Sequence, residues 1–201
     1  MVWMFFLWNA RSIVNKLVSL QLFIYLRDFH IVALTETSCH SNISDSEILP
    51  KGYTLYRNDR DYGGGGVLIA VSDSIRSELM SSPPHSECLI VKVFTHRPIT
   101  LCLVYAPPSP DNPYFFTLLK CIHPVADSSD VIILGDFNYI NINWASVAAS
   151  TGPSKMLCDL AFSYDLCQVV DSPTHCPKSH CQFQLVSLSL LIRPFSYNLF
   201  S

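Results

Sequence analysis

Four apolar runs in this sequence each end on a polar residue suited to oxygen ligation or phosphate contact. The run 131–134 leads straight into Gly135-Asp136-Phe137-Asn138, so a buried strand would present a carboxylate and, two residues on, an amide that both donates and accepts. A second run, 31–35, ends at Glu36, and a third, 101–104, at Tyr105 ahead of Ala106-Pro107-Pro108. The first apolar segment ends in Trp8-Asn9. Each has a plain explanation when taken singly. Gly, Asp and Asn make turns; Glu36 can be a solvated carboxylate at a loop mouth; Tyr105 can be an interfacial tyrosine where prolines end sheet pairing; Asn9 can cap a helix. Four such strand ends together are harder to explain away than any one.

The elements that must position these groups follow from hydrophobic period. Runs of strand length recur at 2–8, 31–35, 66–71, 88–94, 100–105 and 131–134, each bounded by turn residues. Helical spacing covers 12–27, with Ile13, Leu17, Leu20 and Ile24 on one face and Ser12 or Asn9 as cap, and 113–125, with Phe116, Leu119 and Ile122. A third helix is expected over 155–164. Strand, helix, strand, several strands in succession, then helix and strand suits an α/β sandwich better than an alternating doubly wound sheet. Gly63 to Gly66 lacks the Lys-Ser/Thr that follows a phosphate-binding glycine loop; it reads as a flexible lead-in to a strand.

Composition narrows the class. With 201 residues and 49% hydrophobic content, the chain has enough material for one core and too little for two comfortable domains. A net charge of −3 lacks the basic surplus of a protein that clamps nucleic acid through many phosphates, so contact with a polyanion must be local. The eight cysteines are scattered through apolar segments (Cys88, Cys102, Cys121, Cys158, Cys167), which reads as reduced, buried thiols. The apolar start, 1–8, is too short for a bilayer and lacks a leader pattern. A nuclear or cytoplasmic protein is expected, not secreted and without membrane association.

Taken in order, the motifs resemble the endonuclease/exonuclease/phosphatase family, in particular the endonuclease of non-long-terminal-repeat retrotransposons of the chicken-repeat type. They are Asn9 in Trp-Asn-Ala-Arg-Ser, Glu36 in Leu-Thr-Glu-Thr, the glycine run with Val67, Tyr105 in Val-Tyr-Ala-Pro-Pro, and Gly-Asp-Phe-Asn at 135–138. Connective segments agree too: Ile48-Leu49-Pro50-Lys51-Gly52-Tyr53 and Val170-Asp171-Ser172-Pro173-Thr174-His175. The resemblance covers about the first 175 residues. It implies a four-layer αββα sandwich whose strand ends gather a Mg²⁺ site, with Mn²⁺ as a substitute, for cutting a phosphodiester. In that scheme Glu36 is the main metal carboxylate with Asn9 beside it, since hard cations prefer oxygen donors. Asp136 orients or deprotonates the attacking water, and Asn138 and Tyr105 hold the phosphate in line. The implied partners are DNA and a reverse transcriptase domain in the parent element.

After His175 the sequence departs from the family pattern. The chain therefore divides into a family-like domain, 1–175, and a divergent tail, 176–201, and the sandwich is expected to be incomplete at its C-terminus. A family strand of the form Leu-Asp-Leu-Val-Leu finds its nearest match at 183–186, where Gln184 stands in place of a carboxylate. The family's terminal Ser-Asp-His is absent, and His180 comes too early to replace it. Lost strands predict an open sheet edge or a loose core and weak or lost activity. His175-Cys176 and His180-Cys181 offer four zinc-ligand types but no supporting scaffold, and read as a fortuitous tail sequence. Two further readings stand beside the nuclease: a catalytically inactive remnant serving as a structural or interaction module, and an enzyme of the same fold acting on lipid or sugar phosphates or abasic DNA. The connective segments argue against the last.

Overall fold

The computed structural model describes residues 3–60, 64–83, 86–108, 112–128, 130–138, 142–144, 146, 148–149, 152–170 and 188–192. Gln184, His175, Cys176, His180, Cys181 and Gly63 lie outside them, as do the expectations that fall there. The first sheet contains β1 (Phe5–Asn9), β2 (Ile31–Thr35), β3 (Tyr53–Asn58) and β4 (Val67–Ser72) in the order β1-β2-β4-β3. The second holds β5 (Ser77–Ser81), β6 (Cys88–Val93), β7 (Ile99–Tyr105) and β8 (Val131–Asp136), and beyond a two-stranded ribbon of β9 (Ile142–Asn143) and β10 (Ala148–Ala149) it gains β11 (Cys167–Gln168) and β12 (Leu188–Ile192). Its order is β11-β12-β8-β7-β6-β5. The helices are α1 (Leu17–Arg27), α2 (Asp45–Ile48), α3 (Asn112–Ala126) and α4 (Gly152–Ser163).

Side-chain alternation turns these elements into four layers. Along β2, Ile31 and Ala33 face the second sheet, where they meet Leu89, Val91, Leu101, Leu103, Ile132 and Leu134. Val32 and Leu34 point the other way, into a cluster with Trp8, Leu20, Ile24 and Ile48 beneath α1 and α2. In β8 the same parity sends Ile132 and Leu134 inward and Val131 and Ile133 outward, against Phe115, Leu118, Ile122, Leu157 and Leu160 of α3 and α4. Strands buried on both faces read as unbroken apolar runs, which explains why β2, β4 and β6–β8 stand where sequence placed them. Each fully buried Ile, Leu or Val contributes about 1.5–3 kcal/mol relative to exposure. The four-layer αββα arrangement is the one expected. The six described cysteines are all free thiols, four of them buried.

Several local expectations are corrected. Helix α1 starts at Leu17 rather than at 12, because the preceding turn pairs elsewhere: Ser12 N–H donates to Glu36 O at 2.7 Å and Ile13 N–H to Thr37 O at 2.9 Å. Arg11 and Ser12 adopt left-handed φ of 42° and 70°, so Ser12 caps nothing, and Asn9 is engaged in the site described below. Gly135 does not make a turn. It lies within β8 opposite Val104, with φ +146°, and a Cβ there would stand 1.8 Å from Val104 O; the close β7–β8 pairing requires glycine. The altered tail does not leave β8 as an open sheet edge, since β12 pairs antiparallel with it from Leu188↔Asp136 to Ile192↔Ile132. Strands β3 and β5 were not anticipated. Among the described residues, no helix is long and apolar enough to cross a membrane.

Candidate active site

Parallel pairing aligns the strand ends that matter. β1 runs parallel to β2, with Asn9 opposite Thr35, and β7 runs parallel to β8, with Tyr105 opposite Asp136. Asn9, Thr35, Tyr105 and Asp136 all keep the parity of the inward-facing residues below them. The inward-facing residues beneath, Leu7, Ala33, Leu103 and Leu134, are apolar, whereas these four strand ends are polar. They remain buried: Asn9 is 2% exposed, Tyr105 6%, Thr35 and Asp136 0%.

Asn9 joins the two sheets. Its Nδ2 donates to Glu36 Oε1 at 2.8 Å and to Asp136 Oδ2 at 2.7 Å, while its Oδ1 accepts Arg11 N–H at 3.2 Å. The carboxylates predicted from β2 and β8 therefore meet on one amide, although Asn9 and Asp136 lie 127 positions apart in sequence. Asn138 N–H donates to Asp136 Oδ1 at 3.1 Å, and Asn138 Nδ2 donates to Ala106 O at 2.9 Å. Ala106 N–H returns a bond to Asp136 O at 2.8 Å. All five predicted residues, Asn9, Glu36, Tyr105, Asp136 and Asn138, thus belong to one connected cluster.

Backbone strain gathers at the same place. Arg11, Ser12, Glu36, Ser38 and Asn138, all just past the ends of β1, β2 and β8, have positive φ between 42° and 70°. Such conformations cost free energy for non-glycine residues, and surrounding bonds must hold them.

Electrostatics distinguish the groups. Burial, followed by hydrogen bonds from Asn9 and Asn138 that act in the opposite sense and the charge of Glu36, leaves the Asp136 carboxyl raised to about 6. The Tyr105 phenol is pushed well above its ordinary range by burial first, then by the charge of Glu36 and a hydrogen bond to it; it stays protonated and able to donate. An enclosed base poised near neutrality beside a donor phenol and an amide can activate water against a bound phosphate.

Sequence reading missed two buried polar residues here. Thr35 sits inside the quoted Leu-Thr-Glu-Thr, and its parity with Ile31 and Ala33 was the available signal; its hydroxyl has no hydrogen-bond partner among the described residues. Glu87 precedes β6, is 4% exposed, and shares parity with Leu89, Val91 and Val93. A lone carboxylate heading an apolar run was the clue.

Comparison with known proteins bears on the family and the fold. Residues 6–178 match the Endonuclease/Exonuclease/phosphatase family. No curated protein matches the sequence. Among solved structures, the endonuclease domain of TRAS1, a telomere-specific non-LTR retrotransposon, superposes with a TM-score of 0.67 at 15% identity, covering 96% of this chain and 85% of that one. The AP endonuclease LMAP from Leishmania major gives 0.67 at 11% identity, covering 96% and 79%. The 3′ phosphatase NExo from Neisseria, bound to a product DNA hairpin, gives 0.64 at 14% identity, covering 94% and 86%. At these identities the likeness concerns the fold.

Proposed function

Because the chain belongs to the Endonuclease/Exonuclease/phosphatase family, a family of nucleases and phosphodiesterases, we propose that it is a Mg²⁺-dependent endonuclease that nicks DNA, of the kind that starts retrotransposon target-primed reverse transcription. The observation carrying this reading is the Asn9 amide bonded at once to Glu36 and Asp136. Among the described residues no group of three or more His, Cys, Asp or Glu forms a metal cage. Magnesium retains waters and leans on substrate phosphates, so it asks for few protein oxygens; the Glu36 carboxylate offers them, while the Asn9 amide presents its Nδ2 to Glu36 and Asp136 and its Oδ1 to Arg11 N–H. Glu36 would hold the cation, with Asn9 beside it, and Mn²⁺ would substitute. When bound, the cation withdraws charge from the phosphoryl oxygens and stabilises the leaving oxygen.

The protein's own groups do the rest. Asp136 takes the proton of the attacking water, since a carboxylate raised to about 6 is ionised at neutral pH and still a useful base. Tyr105 donates its phenolic hydrogen to a phosphate oxygen. Asn138, with its amide plane fixed on Ala106 O, holds the phosphate in line. The net charge of −3 limits DNA contact to this locality, and the reverse transcriptase of the parent element supplies the next step. Supercoiled plasmid with Mg²⁺ tests the reading: the chain should nick and Asp136→Ala should not, whereas equal nicking by both overturns the assignment.

The altered sequence after residue 175, with Gln184 where the resemblance implies a carboxylate, supports a reduced rate. It equally motivates a second reading, an inactive remnant with a structural or interaction role. Plasmid nicking at the rate of an intact retroelement endonuclease would eliminate that alternative.

A further inference from the structure

Glu87 has no part in the reaction just described, yet it is the most confined carboxylate beside it. It is 4% exposed, and its Oε2 has no hydrogen-bond partner among the described residues, with Arg60 Nη1 4.0 Å away. An enclosed, half-satisfied carboxylate is costly to fold around. Its bonds explain why it is there. Glu87 Oε1 accepts the N–H of Gly66. A Cβ on Gly65 would stand 2.1 Å from that same Oε1, and one on Gly66 2.6 Å from Thr37 Oγ1, with φ of +77° and +86° at the two glycines. The turn is thus built around the carboxylate, bonded rather than a flexible lead-in. Its two carbonyls then accept Ser38 N–H at 2.7 Å and Thr37 N–H at 3.2 Å. Those are the residues immediately after Glu36, whose own φ is +52°.

The main chain of Glu87 reaches the other side of the site. Glu87 O accepts Tyr105 N–H at 2.9 Å. Glu87 N–H donates to Tyr114 Oη at 3.4 Å, and Tyr114 Oη in turn donates to Tyr105 O at 3.0 Å. One residue is therefore tied to the backbone that carries the carboxylate of Glu36 and to the backbone that carries the phenol of Tyr105.

We infer that Glu87 is a positioning residue, which fixes Glu36 through the Gly65–Gly66 turn and Tyr105 through its own main chain. The positioning stands on geometry alone; its consequence for cation binding rests on the function proposed above. Amide hydrogen exchange of Thr37 and Ser38 in the full chain, referred to Leu20 in α1, reads the positioning directly. Mn²⁺ binding, followed by electron paramagnetic resonance, reads the consequence. Glu87→Gln keeps an acceptor for Gly66 N–H and should change both readings by less than about threefold. Glu87→Ala, and Glu87→Asp if the alanine variant fails to fold, should speed exchange at Thr37 and Ser38 by about tenfold relative to Leu20 and weaken Mn²⁺ binding by about tenfold. Exchange at Thr37 and Ser38 that stays in step with Leu20 in the shortened variants overturns the inference, as does a glutamine variant that loosens as much as alanine. If the wild type neither nicks DNA nor binds Mn²⁺, the proposed function fails while the exchange ratios still decide the role of Glu87.

Discussion

Replacing Asp136 with asparagine turns the burial of the central carboxylate into a measurable slope. The side chain is fully enclosed, and burial is the leading cause that raises its carboxyl from 3.8 to about 6. In the unfolded chain it returns to about 3.9. Between those values the folded protein keeps a proton that the unfolded chain has released, so this group makes stability fall as pH rises from about 4 to about 6. Below that window both states are protonated and the penalty is absent; above it the penalty is complete and constant. Two units at about 1.4 kcal/mol each amount to about 3 kcal/mol. Asparagine has no charge at any pH, so Asp136→Asn should gain about 3 kcal/mol relative to wild type between about pH 4 and pH 7.5. The acceptor lost against Asn9 or Asn138 is independent of pH and cancels in that difference. Glu87, whose carboxyl burial also raises, titrates in both proteins. Urea unfolding with a chelator present, at several pH values across the window, gives the two curves. A mutant-minus-wild-type difference constant to within about 0.5 kcal/mol, or one that changes in the opposite sense, would refute the claim that Asp136 is held in a site that disfavours its charge.

Other consequences follow from single contacts. Gly135→Ala places a methyl 1.8 Å from Val104 O, and should destabilise by about 3 kcal/mol or more in thermal unfolding. Asn9→Ala removes the amide between Glu36 and Asp136, and should lower the plasmid-nicking rate by about a hundredfold or more with circular dichroism unchanged. Deleting residues 171–201 removes β12 from the edge of β8, and the shortened chain should elute as multimers in size-exclusion chromatography through the exposed edge.

The sandwich was legible because its central strands are buried on both sides. Ile31 to Leu34 and Val131 to Leu134 contain no polar break, and each ends on the residue that the site uses. β3 escaped because Thr54, Arg57 and Asn58 interrupt its pattern, and Arg57 turns its side chain to Asp45 and Asp59. β5 escaped because, at a sheet edge, Leu79 and Met80 are exposed and flanking serines dilute the signal. In the site, residue types gave the candidates, and only the pairing of parallel strands across two sheets brings Asn9 to Asp136. The positions of Thr35 and Glu87 depend on parity within strands whose ends are set by tertiary contacts. The start of α1 was misplaced for a similar reason: Ser12 and Ile13 spend their N–H groups on the loop after β2, a partner that local helix propensity does not see.

The central claim is that the ends of β1, β2, β7 and β8 form one cation-binding, phosphate-cutting site. Anomalous diffraction from crystals soaked in Mn²⁺ tests it most directly. A peak at about 2.2 Å from a Glu36 carboxylate oxygen, on the Asn9 and Asp136 side, is the predicted result; a map with no peak at Glu36, or with manganese bound only elsewhere, contradicts it.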